Sequence, residues 1–186
     1  MSTLYVDNIA PKTVGNKVLM PQGGFIQHQY TMFTGTNSIT CTTNTDIVLT
    51  DLTVNITPQS TSSIIKLEAQ IYGEWSLEDT VHNNVVFFYR DTTKLAHPTA
   101  GSRNVGVATI LRSFYTTDTN STPEGTGLFS YYDAPSTTSQ ITYKVGINAS
   151  ASGNPVWYLN RTVGDSSTNQ AYERFISLIS ATEIAG

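Results

Sequence analysis

The sequence predicts an all-β fold, a single antiparallel sandwich or barrel preceded by an extended N-terminal arm, and three observations lead there. From Gly24 onward, β-branched and aromatic residues recur with period two in short runs separated by polar, Gly- or Pro-containing breaks. No window of helical length holds a 3.6-residue apolar period, so helix is expected to be almost absent. Charged residues are only 13% of the 186-residue chain, about half of the roughly 25% usual in soluble domains. Ser and Thr, roughly a quarter of the chain, take their place, and β-branched Thr suits a strand that meets water without charge.

Residues 1–22 form the arm. Its apolar residues Leu4, Val6, Ile9, Val14 and Val18 stand alone among polar residues, prolines and a glycine. Burying each contributes roughly 1.5–3 kcal/mol, whereas ordering about 20 residues of backbone costs about 1–2 kcal/mol apiece. Docking of the apolar side chains therefore loses, and an ordered arm must gain backbone hydrogen bonds from a partner or from sister arms. Residues 23–186 form the head. Strands are expected near 24–33, 38–43, 46–57, 63–73, 85–90, 105–115, 127–132, 139–149, 155–160 and 174–184. In 64–72 the odd positions Ile65, Leu67, Ala69 and Ile71 share one face, and Lys66, Glu68 and Gln70 the other. The strand at 141–147 repeats this with Ile141, Tyr143, Val145 and Ile147. In 46–56 the apolar phase slips from odd (Ile47, Leu49) to even (Leu52, Val54, Ile56), which predicts a β-bulge or a bend at Thr50-Asp51.

Chemistry-bearing patterns are sparse. Cys41 is the single cysteine and reads as a small strand or core residue. His28, His82 and His97 lack the spacing that preorganises zinc, and no nucleophile elbow or phosphate-binding glycine loop occurs. The expectation is no catalytic residue, no metal and no cofactor. Glu74, Glu78 and Asp79 cluster beside Trp75 in GEWSLED, where an indole could stack on a sugar ring, and Trp75, Glu78 and Asp79 are the candidate glycan or receptor contact. Trp75 and Trp157 also read as core or interface anchors. Basic residues are scattered singly and the net charge is −4, which argues against nucleic acid. No stretch approaches the roughly 18 apolar residues of a membrane span. The N-terminus lacks a secretory pattern, so synthesis in a cytoplasm is expected.

Several segments resemble, in order, a family of virion structural and tail-fibre proteins of tailed bacteriophages. Leu52 to Leu67 resembles a strand ending in I-T-P, a Ser-rich turn and a following strand. Phe87-Phe88-Tyr89-Arg90-Asp91-Thr92-Thr93 resembles that family's R-D-G-T strand end. Asp133-Ala134-Pro135 leading to Thr142-Tyr143-Lys144 resembles its D-x-P turn and T-Y-K strand. Tyr158-Leu159-Asn160-Arg161, then Arg174 through Ser177, Ile179 and Ser180 to Thr182-Glu183-Ile184-Ala185, resembles its I-N-R and closing S-x-I-T-x-x-E-I-A segments. Leu4 to Ile9 resembles its L-x-V-D-x-I opening. The stretch 73–84 departs from the expected short Gly-rich turn, and Ala181 stands where an aliphatic residue is usual.

The resemblance implies a jelly-roll β-sandwich head that forms a homotrimer, similar in architecture to tumour necrosis factor and complement heads. It implies a virion location, with the arm bound to other capsid or tail proteins. Ten tyrosines and low charge suit a sandwich with one sheet packed about a threefold axis. The expected function is a non-enzymatic virion structural protein, a capsid decoration (cement) protein or a tail-fibre component; the alternative is a fibre tip that binds a host receptor or surface glycan through polar loops.

Overall fold

The computed structural model describes residues 22–77, 80, 83–110, 123–168, 170 and 172–186. The arm positions Leu4, Val6, Ile9, Val14 and Val18 lie outside them, as do Glu78, Asp79 and His82. Twelve strands follow in chain order: β1 (Phe25–Phe33), β2 (Asn37–Thr40), β3 (Ile47–Ile56), β4 (Ile64–Gln70), β5 (Tyr72–Trp75), β6 (Asn84–Arg90), β7 (Thr93–Leu95), β8 (Glu124–Gly125), β9 (Phe129–Asp133), β10 (Ile141–Ala149), β11 (Val156–Leu159) and β12 (Ser177–Ile184). They form three four-stranded antiparallel sheets, ordered β1-β12-β4-β9, β2-β11-β5-β8 and β3-β10-β6-β7.

The first two sheets are halves of one layer, because β1 leads to β2, β4 to β5, β8 to β9 and β11 to β12. When each such pair counts as one long strand, eight strands remain. Their order is first-eighth-third-sixth in one layer and second-seventh-fourth-fifth in the other, which is the jelly-roll pattern.

Alternation places the core where the sequence puts it. Ile65, Leu67, Ala69 and Ile71 face inward from the first layer, and Ile141, Tyr143, Val145 and Ile147 from the second; all are buried. The bulge in β3 falls where the apolar phase slips. Lys144 pairs with Thr53 but Val145 pairs with Leu49, so residues 50–52 loop out and both Leu49 and Leu52 reach the core. The strand expected at 105–115 is different. Among its described residues only one bridge forms, Val86 with Ala108. A tight turn at Asp91, in the left-handed region at φ 52°, folds β7 back first onto the edge of β6 that this segment would otherwise line.

Phe87 lies on the outer side of β6 yet is fully buried. Its ring sits over Gly146, beneath the Lys94 ammonium 3.8 Å from the ring centroid, and edge-on to Tyr89. A Cβ at Gly146 would come within 2.3 Å of that ring. Gly146→Ala should therefore cost about 1–3 kcal/mol, read as a lower urea midpoint with an unchanged slope.

Cys41 is buried and touches no second sulfur. Burial pushes its thiol up to about 12, against a weaker opposing pull from the backbone of Trp157. Burial and the neighbouring Asp133 carboxylate likewise raise the Tyr143 phenol above its ordinary 10.0. Unfolding lets both groups ionise at ordinary values, so the native state holds more protons above about pH 9. Stability is unaffected by either group below pH 9 and falls from there toward pH 12, by up to about 1.4 kcal/mol per pH unit for each group. Urea titrations at pH 8, 9, 10 and 11 should show this fall, and Cys41→Ala should flatten its first part.

Candidate functional site: a bare sheet face and the buried knots beneath it

Register fixes what each side chain of the β1-β12-β4-β9 sheet faces. Reading across the strands, the outer rows are Phe25–Ile184–Ile64, His28–Thr182–Lys66–Tyr132, Tyr30–Ser180–Glu68–Ser130 and Met32–Leu178–Gln70. Eight large apolar side chains are exposed among the described residues, and five of them stand in these rows: Phe25 at 66%, Tyr30 at 68%, Met32 at 55%, Ile64 and Tyr132. Leu128 and Ile176, also exposed, immediately precede β9 and β12 in the same alternation. Only Leu77 lies elsewhere. So concentrated an apolar patch is unusual on the surface of a monomer.

The centre of this face is polar but electrically balanced. Lys66 Nζ lies 2.8 Å from Glu68 Oε1, and His28 Nδ1 meets Thr182 Oγ1 at 2.7 Å. Beside them runs a groove of about 490 Å³ lined by Phe25, Gln27, His28, Lys66, Glu68 and Thr182.

The neighbouring half-layer shows what a covered face looks like. Over β2-β11-β5-β8 lie residues 161–165 and 174–175 of the same chain. Val163 N–H donates to Glu74 Oε2 at 2.5 Å, Phe175 stacks on Tyr72 at 4.9 Å, and Arg161 sits over Tyr158 while its Nη2 reaches Ser38 Oγ. Asp165 receives both Arg161 and Arg174. On the opposite layer, Asp46 bonds Lys94 at 3.0 Å and Asn148 at 2.7 Å, closing the patch over Phe87. The bare face thus contrasts with outer surfaces that this chain closes for itself.

Beneath the face, three buried polar knots join segments that are distant in sequence. Glu183, fully buried, accepts from Gln27 Nε2 at 2.6 Å, Gln59 N–H at 2.7 Å and Ser63 Oγ at 2.6 Å. It ties the I-T-P–Ser turn to the closing T-E-I-A. Asp133 on β9 accepts from Arg90 Nη1 at 2.9 Å and the Tyr143 hydroxyl at 2.7 Å, and both donors come from the other layer. Asn160 accepts from Ser177 Oγ at 2.6 Å and donates to the carbonyls of Phe33 and Gly35. A buried carboxylate or amide is tolerated when its lone pairs and protons are used. These carboxylates are occupied in holding turns and layers together.

Trp75 does not present a stacking plate. It is 5% exposed and packs against Trp157 in the core, their rings 5.0 Å apart. This corrects its place in the glycan candidate, and its companions Glu78 and Asp79 fall outside the described residues. Alternation explains the burial: Trp75 pairs with Trp157 on β11, and both share the inward phase of Leu159 and Ile71. Among the described residues, no group of three or more His, Cys, Asp or Glu could hold a metal ion. No protein-family model matches the chain, and no curated protein matches it.

Proposed function

We propose that this chain is a non-enzymatic structural protein of a tailed-phage particle, a jelly-roll head that forms a homotrimer through its bare sheet face and is tethered by its N-terminal arm. The single observation that supports the trimeric head is the gathering of exposed apolar side chains on the β1-β12-β4-β9 face. Seven such side chains, each offering roughly half of about 150–250 Å², amount to about 700 Å², close to the ~800 Å² per partner of a standard interface. The face carries no net charge, since Lys66 and Glu68 cancel, so identical copies meet without repulsion.

The particle and the arm's role rest on the resemblance of the sequence segments. The knots give that resemblance a physical content: Asp133 with Arg90, and Glu183 with the Ser-rich turn, are contacts that each join two of the matching segments. Deleting residues 1–20 tests the tether. The shortened protein should remain a soluble trimer and be absent from purified particles; incorporation at the level of the full chain would refute the anchoring role. Copies per particle separate the two locations, hundreds for capsid decoration and a few dozen at most for a tail component.

A further inference from the structure

On the layer opposite the bare face, a second groove of about 440 Å³ opens at the end of the β3-β10-β6 strands. Asn44, Asn83, Ser102, Arg103, Asn104 and Ser150 line it. We infer that this groove is a binding site for an acidic saccharide, one sugar residue bearing a carboxylate among its hydroxyl groups.

The lining mixes donors with acceptors. Side-chain amides present an N–H₂ and a carbonyl side by side, and serine hydroxyls do both. A fully ionised inorganic anion only accepts and would meet the amide oxygens as repulsive neighbours, and phosphate near neutral pH has at most two hydroxyl donors to offer them. A sugar hydroxyl donates and accepts at once, so vicinal hydroxyls match an amide on both atoms. The one charge in the lining is Arg103, whose guanidinium forks onto a carboxylate. Val85 is the sole apolar residue of the lining, which leaves a peptide side chain nothing to bury, and a single cation is too few for a nucleic-acid backbone.

The wall is set before any ligand arrives. Asn44 is held in the left-handed region at φ 59°, with its N–H on the carbonyl of Ala149 at 2.8 Å. Asn104 Nδ2 donates to Asn148 Oδ1 at 2.9 Å and to Asn44 Oδ1 at 3.3 Å, and Ser150 N–H donates to the carbonyl of Asn83 at 2.8 Å. Arg103 Nη1 donates to the Ala100 carbonyl at 3.3 Å, and Asn44, Arg103 and Asn104 are all exposed. Preorganisation of this kind lowers the cost of binding. An open groove without an aromatic floor holds one sugar residue only in the millimolar range, about −4 kcal/mol.

The test is a nitrogen-15 amide titration of the full-length protein with methyl β-glucuronoside, methyl β-glucoside and inorganic phosphate in parallel. The glucuronoside should shift the amides of Asn44, Arg103 and Asn104 and saturate at millimolar concentration. Arg103→Ala should weaken it at least about tenfold and leave the weaker glucoside response unchanged, while Asn104→Ala should weaken both. No saturable shift at about 50 mM of either sugar, the same shifts from phosphate alone, or an Asn104→Ala variant that binds normally would each overturn the assignment. The groove and the bare face lie on opposite layers, so the outcome does not depend on the oligomeric state.

Discussion

If the proposed trimer forms through the bare face, replacing Tyr30 and Tyr132 together by glutamate should convert it into a folded, soluble monomer. Both rings lie open on the bare face, at 68% and 59% exposure, on β1 and β9 at its two edges. A heterologous threefold contact sets one edge of each copy against the other edge of its neighbour, so each interface loses both aromatics at once. Aromatic anchors of this kind are worth about 2 kcal/mol or more apiece. Summed, the two anchors give a loss of about 4 kcal/mol, or roughly a thousandfold in association, for each interface. Burying glutamate in their place adds a desolvation penalty. Sedimentation should report the monomer, and circular dichroism should be unchanged, because neither ring contributes to the core cluster. Thr53→Glu with Thr142→Glu, on the opposite layer, is the matched control and should leave assembly intact.

Asp133→Ala should be strongly destabilising, although it removes no apolar packing from the core. The carboxylate is the one acceptor shared by Arg90 and Tyr143, so its removal strands a guanidinium and a buried hydroxyl from the opposite layer. Breaking a buried pair costs about 3–5 kcal/mol. Arg90 is 29% exposed against 7% for Asp133, and water reaching the guanidinium sets the expectation near 3 kcal/mol. For a domain of this size that lowers the melting temperature by roughly 6–12 °C, compared at one protein concentration because assembly also stabilises. Tyr143→Phe leaves the ion pair in place and should cost only about 1–2 kcal/mol. Equal losses for the two variants would show that the ion pair between the layers contributes nothing.

Much of the fold was legible in the sequence because period-two alternation is a local signal. Ile65 to Ile71 and Ile141 to Ile147 read correctly from their spacing alone. So did the bulge, since a phase slip between Leu49 and Leu52 has few other solutions. The short β7 hairpin was not legible: Thr93–Leu95 has no alternation to display, and a left-handed Asp91 is a property of the turn rather than of its neighbours.

The exposed apolar face was hidden for a related reason. In FIQHQYTMF, alternation separates two sets of residues without saying which set faces the core, and hydrophobicity alone would turn Tyr30 and Met32 inward. The structure turns them out because the other set does work at the edge. Thr31 Oγ1 donates to the Thr53 carbonyl at 2.6 Å, and Gln27 Nε2 reaches the Thr57 carbonyl and Glu183, so polar side chains of β1 bond across to β3 and close the sandwich. Long-range pairings such as Asp133 with Arg90 were likewise invisible, although both residues stood within segments singled out for their resemblance.

The mass of the purified full-length protein in solution, measured by light scattering at micromolar concentration, tests the central claim most directly. A bare face completed by two identical neighbours predicts about 61 kDa, three times the 20.3 kDa chain. A species of 20.3 kDa that persists as the concentration rises a hundredfold would contradict it.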